Sequence, residues 1–273
     1  MEGLQRRSIV ITGASGGMGS AATEEMARRG YRVIMACRNP EKAAAVRSRI
    51  LAAVPDAQLD IEELHLDSFA SIRDFAGRMR KEAPLHGLFN NAGVLPRHYS
   101  LTADGYERTL GVNYLGPWLL SSLMLPLLAQ DAGIVNMVSV SAKAISLDRD
   151  LFEKGEKDFH QLRTYARTKL ALIYFSIALA QKSGRRVNMA DPGIVDTDMI
   201  RLDRWFDPLT DIFFRPFCNS PARGARPAVN ALCSDACMQI FSGAGHRDVP
   251  RKLLERRDDI EWLWDETERR LKK

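Results

Sequence analysis

The sequence predicts an α/β fold: a single domain built on a doubly wound parallel sheet of about seven strands, with helices on both faces. Apolar runs of strand length alternate with segments of helical period along most of the 273 residues. A glycine-rich turn joins the first of these runs to the first helical segment. No repeat, linker or low-complexity stretch interrupts the alternation. With 45% hydrophobic and 27% charged residues the composition is that of a packed chain, which excludes collagenous, low-complexity and disordered classes.

Residues 8–12 (SIVIT) are the first expected strand, and 18–29 the first helix, stopped at Gly30. The run 31–36 gives a second strand, 40–53 a helix and 59–64 a third strand. A helix over 68–81, a strand over 85–90, a long helix within 104–128 and a strand over 133–138 follow. A helix over 159–182, a strand over 186–189, a helix over 221–234 and a strand over 239–241 complete the pattern. Parallel strands in series need right-handed crossovers, which puts helices on both faces in a Rossmann-like arrangement. The tail 251–273 sets Ile260, Leu263, Trp264 and Leu271 among charges, as in a docked amphipathic helix.

The 39 Lys+Arg outnumber 34 Asp+Glu, for a net charge of +5 and a pI near 9.1. The basic residues come as scattered pairs such as Arg28-Arg29 and Arg256-Arg257, so nucleic-acid binding is not expected. An anionic small molecule suits a mildly basic chain. The apolar stretches 115–129 and 170–180 are too short to span a membrane, or are interrupted by Pro117, Ser121, Ser122 and Pro126. The opening MEGLQRRS has no apolar core of a signal peptide. Cys37, Cys218, Cys233 and Cys237 show no zinc spacing, so no metal is expected and the thiols read as reduced, in the cytoplasm.

The turn Thr12-Gly13-Ala14-Ser15-Gly16-Gly17-Met18-Gly19 lies between the first strand and first helix. Glycines there let the backbone approach a pyrophosphate, and the helix N-terminus offers amide donors and a partial positive charge. A glycine-rich turn alone is equally a structural loop; its placement favours the phosphate reading. Thr12-Gly13-x-x-x-Gly17-x-Gly19 resembles the cofactor fingerprint of the short-chain dehydrogenase/reductase family, in its non-extended form. The resemblance continues through Asn90-Asn91-Ala92-Gly93, Asn113, Ser139, Tyr165-x-x-x-Lys169 and Pro192-Gly193-x-x-x-Thr197, in the order that family requires.

By this resemblance Gly13, Ser15, Gly17, Met18 and Gly19 would bind the dinucleotide, Asp67 and Ser68 would flank the adenine, and Asn91, Ala92 and Gly93 the adenosine ribose. Pro192, Gly193, Val195 and Thr197 would hold the carboxamide, while Asp191, Asp196 and Asp198 read as turn chemistry. Dinucleotide folds select their cofactor after the second strand, where an acid binds the ribose 2′-OH and an arginine the 2′-phosphate. Here Met35-Ala36-Cys37-Arg38-Asn39 has no acid, and Arg38 can pair with the phosphate, so NADP is expected in preference to NAD.

Tyr165 and Lys169 are i and i+4, on one helix face. A neighbouring ammonium and an oxidised nicotinamide should pull a phenol of pKa near 10 downward, towards useful acid–base chemistry. The resemblance makes Tyr165 the proton donor or acceptor at a substrate oxygen and Lys169 the residue that tunes it and holds the nicotinamide ribose. Asn113 would order a water for proton relay, or else sit at a kink before Gly116-Pro117. Where the family commonly ends its fifth strand in two serines, this chain has Val138-Ser139. Ser139 is preferred over Ser141 for polarising the substrate oxygen, because it ends the strand at the carboxyl edge.

The long polar segment 142–163 and the aromatic one with Trp205, Phe206, Phe213, Phe214 and Phe217 should wall the substrate cleft. These rings would either bury an apolar substrate or pack a lid. With Arg38 and the Trp-bearing tail, the chain looks closest to the retinol-dehydrogenase-like branch, which implies a carbonyl or alcohol substrate. Residues 1–130 are then the cofactor half, 131–250 the catalytic and substrate-loop half, and 251–273 the C-terminal helix. A homodimer through the helices carrying Asn113 and Tyr165 is implied by the family, although both could be buried on their own sheet. The rival readings are a non-catalytic NADP-binding regulatory protein, and an isomerase or dehydratase on the same scaffold.

Overall fold

A computed structural model describes residues 7–193 and 219–272. In chain order it runs β1 (Ser8–Thr12), α1 (Gly17–Arg28), β2 (Arg32–Cys37), α2 (Pro40–Ala53), β3 (Gln58–Glu63), α3 (Phe69–Met79) and β4 (Leu85–Asn90). Next come α4 (Arg108–Leu110), a π turn (Gly111–Leu115), α5 (Gly116–Met124), β5 (Leu128–Met137) and α6 (Gln161–Ser183). After β6 (Arg186–Asp191) come α7 (Pro221–Leu232), β7 (Gln239–Ser242), β8 (Gly245–Asp248), α8 (Arg251–Leu254) and α9 (Arg257–Leu271).

Among the described residues the sheet has eight strands, in the order β3-β2-β1-β4-β5-β6-β7-β8. The pairings from β3 to β7 are all parallel, as expected, but β8 is an antiparallel edge strand beyond the seven. Ser242 pairs with Gly245 across a two-residue connection in which Gly243 takes φ +57°. All four β8 residues are exposed, so its sequence carries no apolar alternation to announce it.

Alternation along the central strands explains why both faces are covered. Val10, Ile34, Leu88 and Ile134 enter one core, with Ile72 and Phe75 of α3, Leu120 of α5 and Leu263 of α9. Ile9, Ile11, Met35, Phe89 and Val135 enter the other, with Met26 of α1, Ile50 of α2 and Val229 of α7. Side chains such as Phe75 and Met26, almost wholly withdrawn from water, contribute roughly 1.5–3 kcal/mol each.

The helix expected within 104–128 is broken by the π turn, and β5 starts at Leu128, earlier than expected. Leu128 pairs with Leu85 before a register shift carries the ladder on to Gly87 and Gly133. Much of the apolar stretches 115–129 and 170–180 is buried in the chain's own core, and around Trp118 and Phe175 they are capped by Trp264 of α9.

Candidate active site

The carboxyl ends of β1, β2, β4, β5 and β6 converge on one edge of the sheet. Leaving β1, Gly13 takes φ +64°, a left-handed conformation open to glycine. A Cβ on Gly19 would lie 2.1 Å from the Gly13 carbonyl oxygen, and one on Gly13 would lie 3.1 Å from Ala92. The glycine spacing therefore follows from how closely turn, helix and β4 approach.

Thr12 locks that approach: its Oγ1 accepts from the backbone N–H of Asn91 and of Ala92, each at 3.0 Å. Asn91 Nδ2 donates to the Thr12 carbonyl at 2.8 Å, while its Oδ1 is buried without a partner in the protein. No side chain caps α1 and no acid stands in its first turn, so its amide donors remain available to an anion. This cradle, with an orphaned acceptor beside it, fits the phosphate and ribose groups of a dinucleotide.

Arg38 follows β2 and is exposed; among the described residues it forms no ion pair. Asn39 behind it caps α2 by accepting from Lys42 N at 2.7 Å. Burial raises the Cys37 thiol, opposed by Ser15 and Ala14 of the glycine turn. Ser68 caps α3 by accepting from Ser71 N at 3.3 Å, and the Asp67 carboxylate lies 3.7 Å from Arg108.

Asn113 is fully buried in the π turn. Its Oδ1 accepts from Val94 N at 2.8 Å and its Nδ2 donates to Val94 O at 2.9 Å. One lone pair and one N–H remain, so the amide still has the means to hold a water. The kink that Gly116-Pro117 suggests is real, and it is this π turn, a feature frequent at functional sites. A Cβ on Gly93 would lie 3.3 Å from Asn113 Oδ1 and 3.8 Å from Lys169 Nζ, which brings all three residues together.

Ser139 begins the segment after β5, and its Oγ accepts from Ser141 N at 3.3 Å and from Ser141 Oγ at 3.0 Å. Ser139 is near enough to the Tyr165 phenol to favour its ionised form, and Ser141 is bonded to the Ser139 hydroxyl. Lys169, one helical turn from Tyr165, donates to Met137 O at 2.7 Å and lies 5.5 Å from the Tyr165 ring centroid.

The protein's own groups act on this pair chiefly through burial. Burial pushes Tyr165 up to about 12, opposed by the nearby Ser139 hydroxyl and helped by the Asp191 carboxylate. Burial also brings Lys169 down to about 8. Desolvation of the phenolate outweighs the ammonium because Lys169 is directed at the Met137 carbonyl rather than at the phenol oxygen.

Gly193, with φ +69°, donates its N–H to Asp191 Oδ1 at 3.1 Å, and Asn219 Nδ2 donates to Pro192 O at 3.1 Å. Val195, Thr197, Asp196, Asp198, Cys218 and the aromatic residues Trp205, Phe206, Phe213, Phe214 and Phe217 lie outside the described residues. Sequence reading missed the ion pair between buried Arg167 and Asp148, at 2.5 Å, which holds the segment after Ser139 onto α6. The signal for it was an arginine two residues after Tyr165, just ahead of the apolar run 170–180. It also missed exposed Val140 and Leu162, which flank Ser139 and Tyr165 in sequence. Among the described residues no group of three His, Cys, Asp or Glu side chains could hold a metal ion, and no helix is long and apolar enough to cross a membrane.

The family model for short chain dehydrogenase matches residues 7–205, and the chain belongs to that family of oxidoreductases. Within it the chain falls in the retinol-dehydrogenase-like branch. It is 36% identical over 249 residues to retinol dehydrogenase 11 of Homo sapiens, covering 88% of this chain and 76% of that protein. Retinol dehydrogenase 12 of Mus musculus is 36% identical over 268 residues, covering 94% of this chain and 84% of that protein. A solved structure from Mycobacterium paratuberculosis superposes with a TM-score of 0.79 at 28% identity, over 98% of this chain and 94% of that one. A short-chain dehydrogenase from Sphingobium yanoikuyae, solved with NADPH, shares the fold with a TM-score of 0.66 at 21% identity, covering 93% of this chain and 92% of that one.

Proposed function

We propose that the chain is an NADP(H)-dependent oxidoreductase that interconverts a small-molecule carbonyl and its alcohol, with Tyr165 as general acid and base. The observation that carries this reading is the cluster of Ser139, Tyr165, Lys169 and Asn113 at the sheet edge that also bears the glycine cradle. When bound, the nicotinamide supplies or accepts the hydride at the substrate carbon. Tyr165, a phenol up to about 12, gives its proton to the carbonyl oxygen during reduction and takes it back during oxidation. Ser139 donates to the same oxygen. Lys169, with a value of about 8, is still largely protonated at neutral pH and can resupply the proton. Asn113 holds Gly93-Val94 against Lys169 and keeps its free amide positions for a water that leads to solvent.

Arg38, exposed and unpaired among the described residues, would take the 2′-phosphate, which favours NADP. Gly13, Ser15, Gly17, Met18 and Gly19 would hold the pyrophosphate, Asp67 and Ser68 the adenine, and Asn91 to Gly93 the ribose. Pro192, Gly193, Val195 and Thr197 would hold the carboxamide. Residues 1–130 then serve the cofactor and 131–250 the chemistry, in a protein we place in the cytoplasm. Val140 and Leu162, 49% and 64% exposed beside the reacting residues, favour an apolar aldehyde, ketone or alcohol.

The test is NADPH consumption, followed by its near-ultraviolet absorbance, across a panel of aldehydes, ketones and quinones. Tyr165→Phe should reduce turnover at least ~100-fold and leave NADPH affinity within about twofold, in keeping with the loss of a general acid. A Tyr165→Phe enzyme that kept wild-type turnover would remove the tyrosine from the mechanism.

A further inference from the structure

The π turn that carries Asn113 has a second side. Tyr114, the next residue, turns away from the cleft into the core and has no exposure. Its hydroxyl lies 2.7 Å from Oγ1 of Thr267, on α9, which is also fully buried. Thr267 has a single hydroxyl proton, and it is donated to Leu263 O at 2.6 Å. Tyr114 is therefore the donor and Thr267 the acceptor. Burial pushes the Tyr114 phenol well above its ordinary range, so the donor keeps its proton.

Among the described residues this is the polar link between α9 and the π turn. A π turn departs from the regular i→i−4 ladder and depends on its surroundings to fix it. Neighbouring residues on a helix point in different directions, so Asn113 reaches Val94 while Tyr114 reaches Thr267. A hydroxyl acceptor at a defined place behind the turn thus sets how far Asn113 protrudes towards Val94 and Lys169. The helix bearing that acceptor is itself well anchored. Trp264 packs on Trp118 at 5.2 Å between ring centroids, and Arg73 donates to Leu271 O at 2.9 Å. Arg149 pairs with Asp259 at 2.8 Å, which ties α9 to the segment between Ser139 and Tyr165.

We infer that Thr267 is a positioning residue for the active site, fixing Asn113 through the Tyr114 hydroxyl from the far end of the chain. The catalytic consequence rests on the role proposed above for Asn113; the mechanical one does not. Thr267→Val keeps the shape and leaves the Tyr114 hydroxyl unpartnered, Thr267→Ser keeps the acceptor, and Tyr114→Phe removes the donor. The full-length protein is used throughout.

The first readout is amide exchange at Val94, whose N–H is held by Asn113 Oδ1. Thr267→Val should speed it about tenfold relative to core amides of β1, and Thr267→Ser should restore it to within about twofold. The second readout is kinetic: kcat for carbonyl reduction should fall about tenfold in Thr267→Val, with the KM for NADPH within about twofold of wild type. Adding Tyr114→Phe to Thr267→Val should cost no further activity, since the two groups make one interaction. Unchanged Val94 exchange in both Thr267→Val and Tyr114→Phe would overturn the inference. So would a lowered Tm with Val94 exchange no faster than that of the β1 core amides, which is what plain packing predicts. Asn113→Ala separates the two claims: full activity in that variant would sink the proposed role of Asn113 and leave the exchange result standing on its own.

Discussion

Burial holds Tyr165 as a phenol up to about 12 but Lys169 as an ammonium only up to about 8. As pH rises, Lys169 is therefore the first of the pair to lose its proton. In the proposed mechanism carbonyl reduction draws protons through this pair, so it should be level below neutrality and fall as pH passes about 8. Alcohol oxidation needs the phenolate, whose fraction grows tenfold per pH unit below the phenol's own value, so it should rise over the same range. Initial rates in both directions check this; reduction that stayed level from about pH 6 to about pH 10 would take Lys169 out of the proton path. At the opposite end of the site, Arg38→Asp should weaken NADPH at least ~10-fold by losing charge-assisted bonds, and should strengthen NADH. A fluorescence titration showing unchanged NADPH affinity would end the Arg38 assignment. Both residues were visible in the sequence, one by its spacing from Tyr165 and the other by its place after β2. The upward pull of burial on Tyr165 was not, because sequence counts neighbouring charges and does not count the water that folding removes.

At the scale of elements, the decisive contacts are those where backbones approach each other. Gly19 and Gly77 both lie in helices, yet adding a methyl group should act in opposite directions. At Gly19 the new carbon would meet the Gly13 carbonyl at 2.1 Å, so the turn must open. Gly19→Ala should cost roughly 1–3 kcal/mol of stability and lower NADPH affinity. At Gly77, in α3, nothing lies within 4 Å, and alanine should add about 0.5–1 kcal/mol because it restricts the unfolded chain. Thermal melts with a cofactor titration distinguish the two; a neutral Gly19→Ala would show that the turn has slack. The glycine pattern was legible because it is local. The π turn was legible only as a kink, since Gly116-Pro117 marks a disturbance without giving its form. Tyr114 gave no sign of its partner, which lies 153 residues away.

Across the whole molecule, apolar runs were enough to place β1, β2, β4, β5 and β6, since burial on both faces leaves a continuous apolar signature, while β3 and β7 were marked only by short apolar stretches within the alternation. The same logic explains what stayed hidden. β8 is exposed throughout and leaves no such mark, and the Arg167–Asp148 and Tyr114–Thr267 pairs join segments that have no periodic relation to each other. The site likewise draws on five strand ends, and each motif was readable singly while its distance from the others was not. The exposed eighth strand has one more consequence. A parallel sheet ending at β7 would present Ile240 and Phe241 beside a row of unpaired amides, a template on which a neighbouring molecule could add its own strand. The hairpin turns the chain back over that row and places Gly-His-Arg-Asp at the rim, while the opposite rim, β3, carries Asp60, Glu62 and Glu63. Polar and charged rims of this kind discourage edge-to-edge aggregation, and at one of the two borders a two-residue connection is enough to provide that protection.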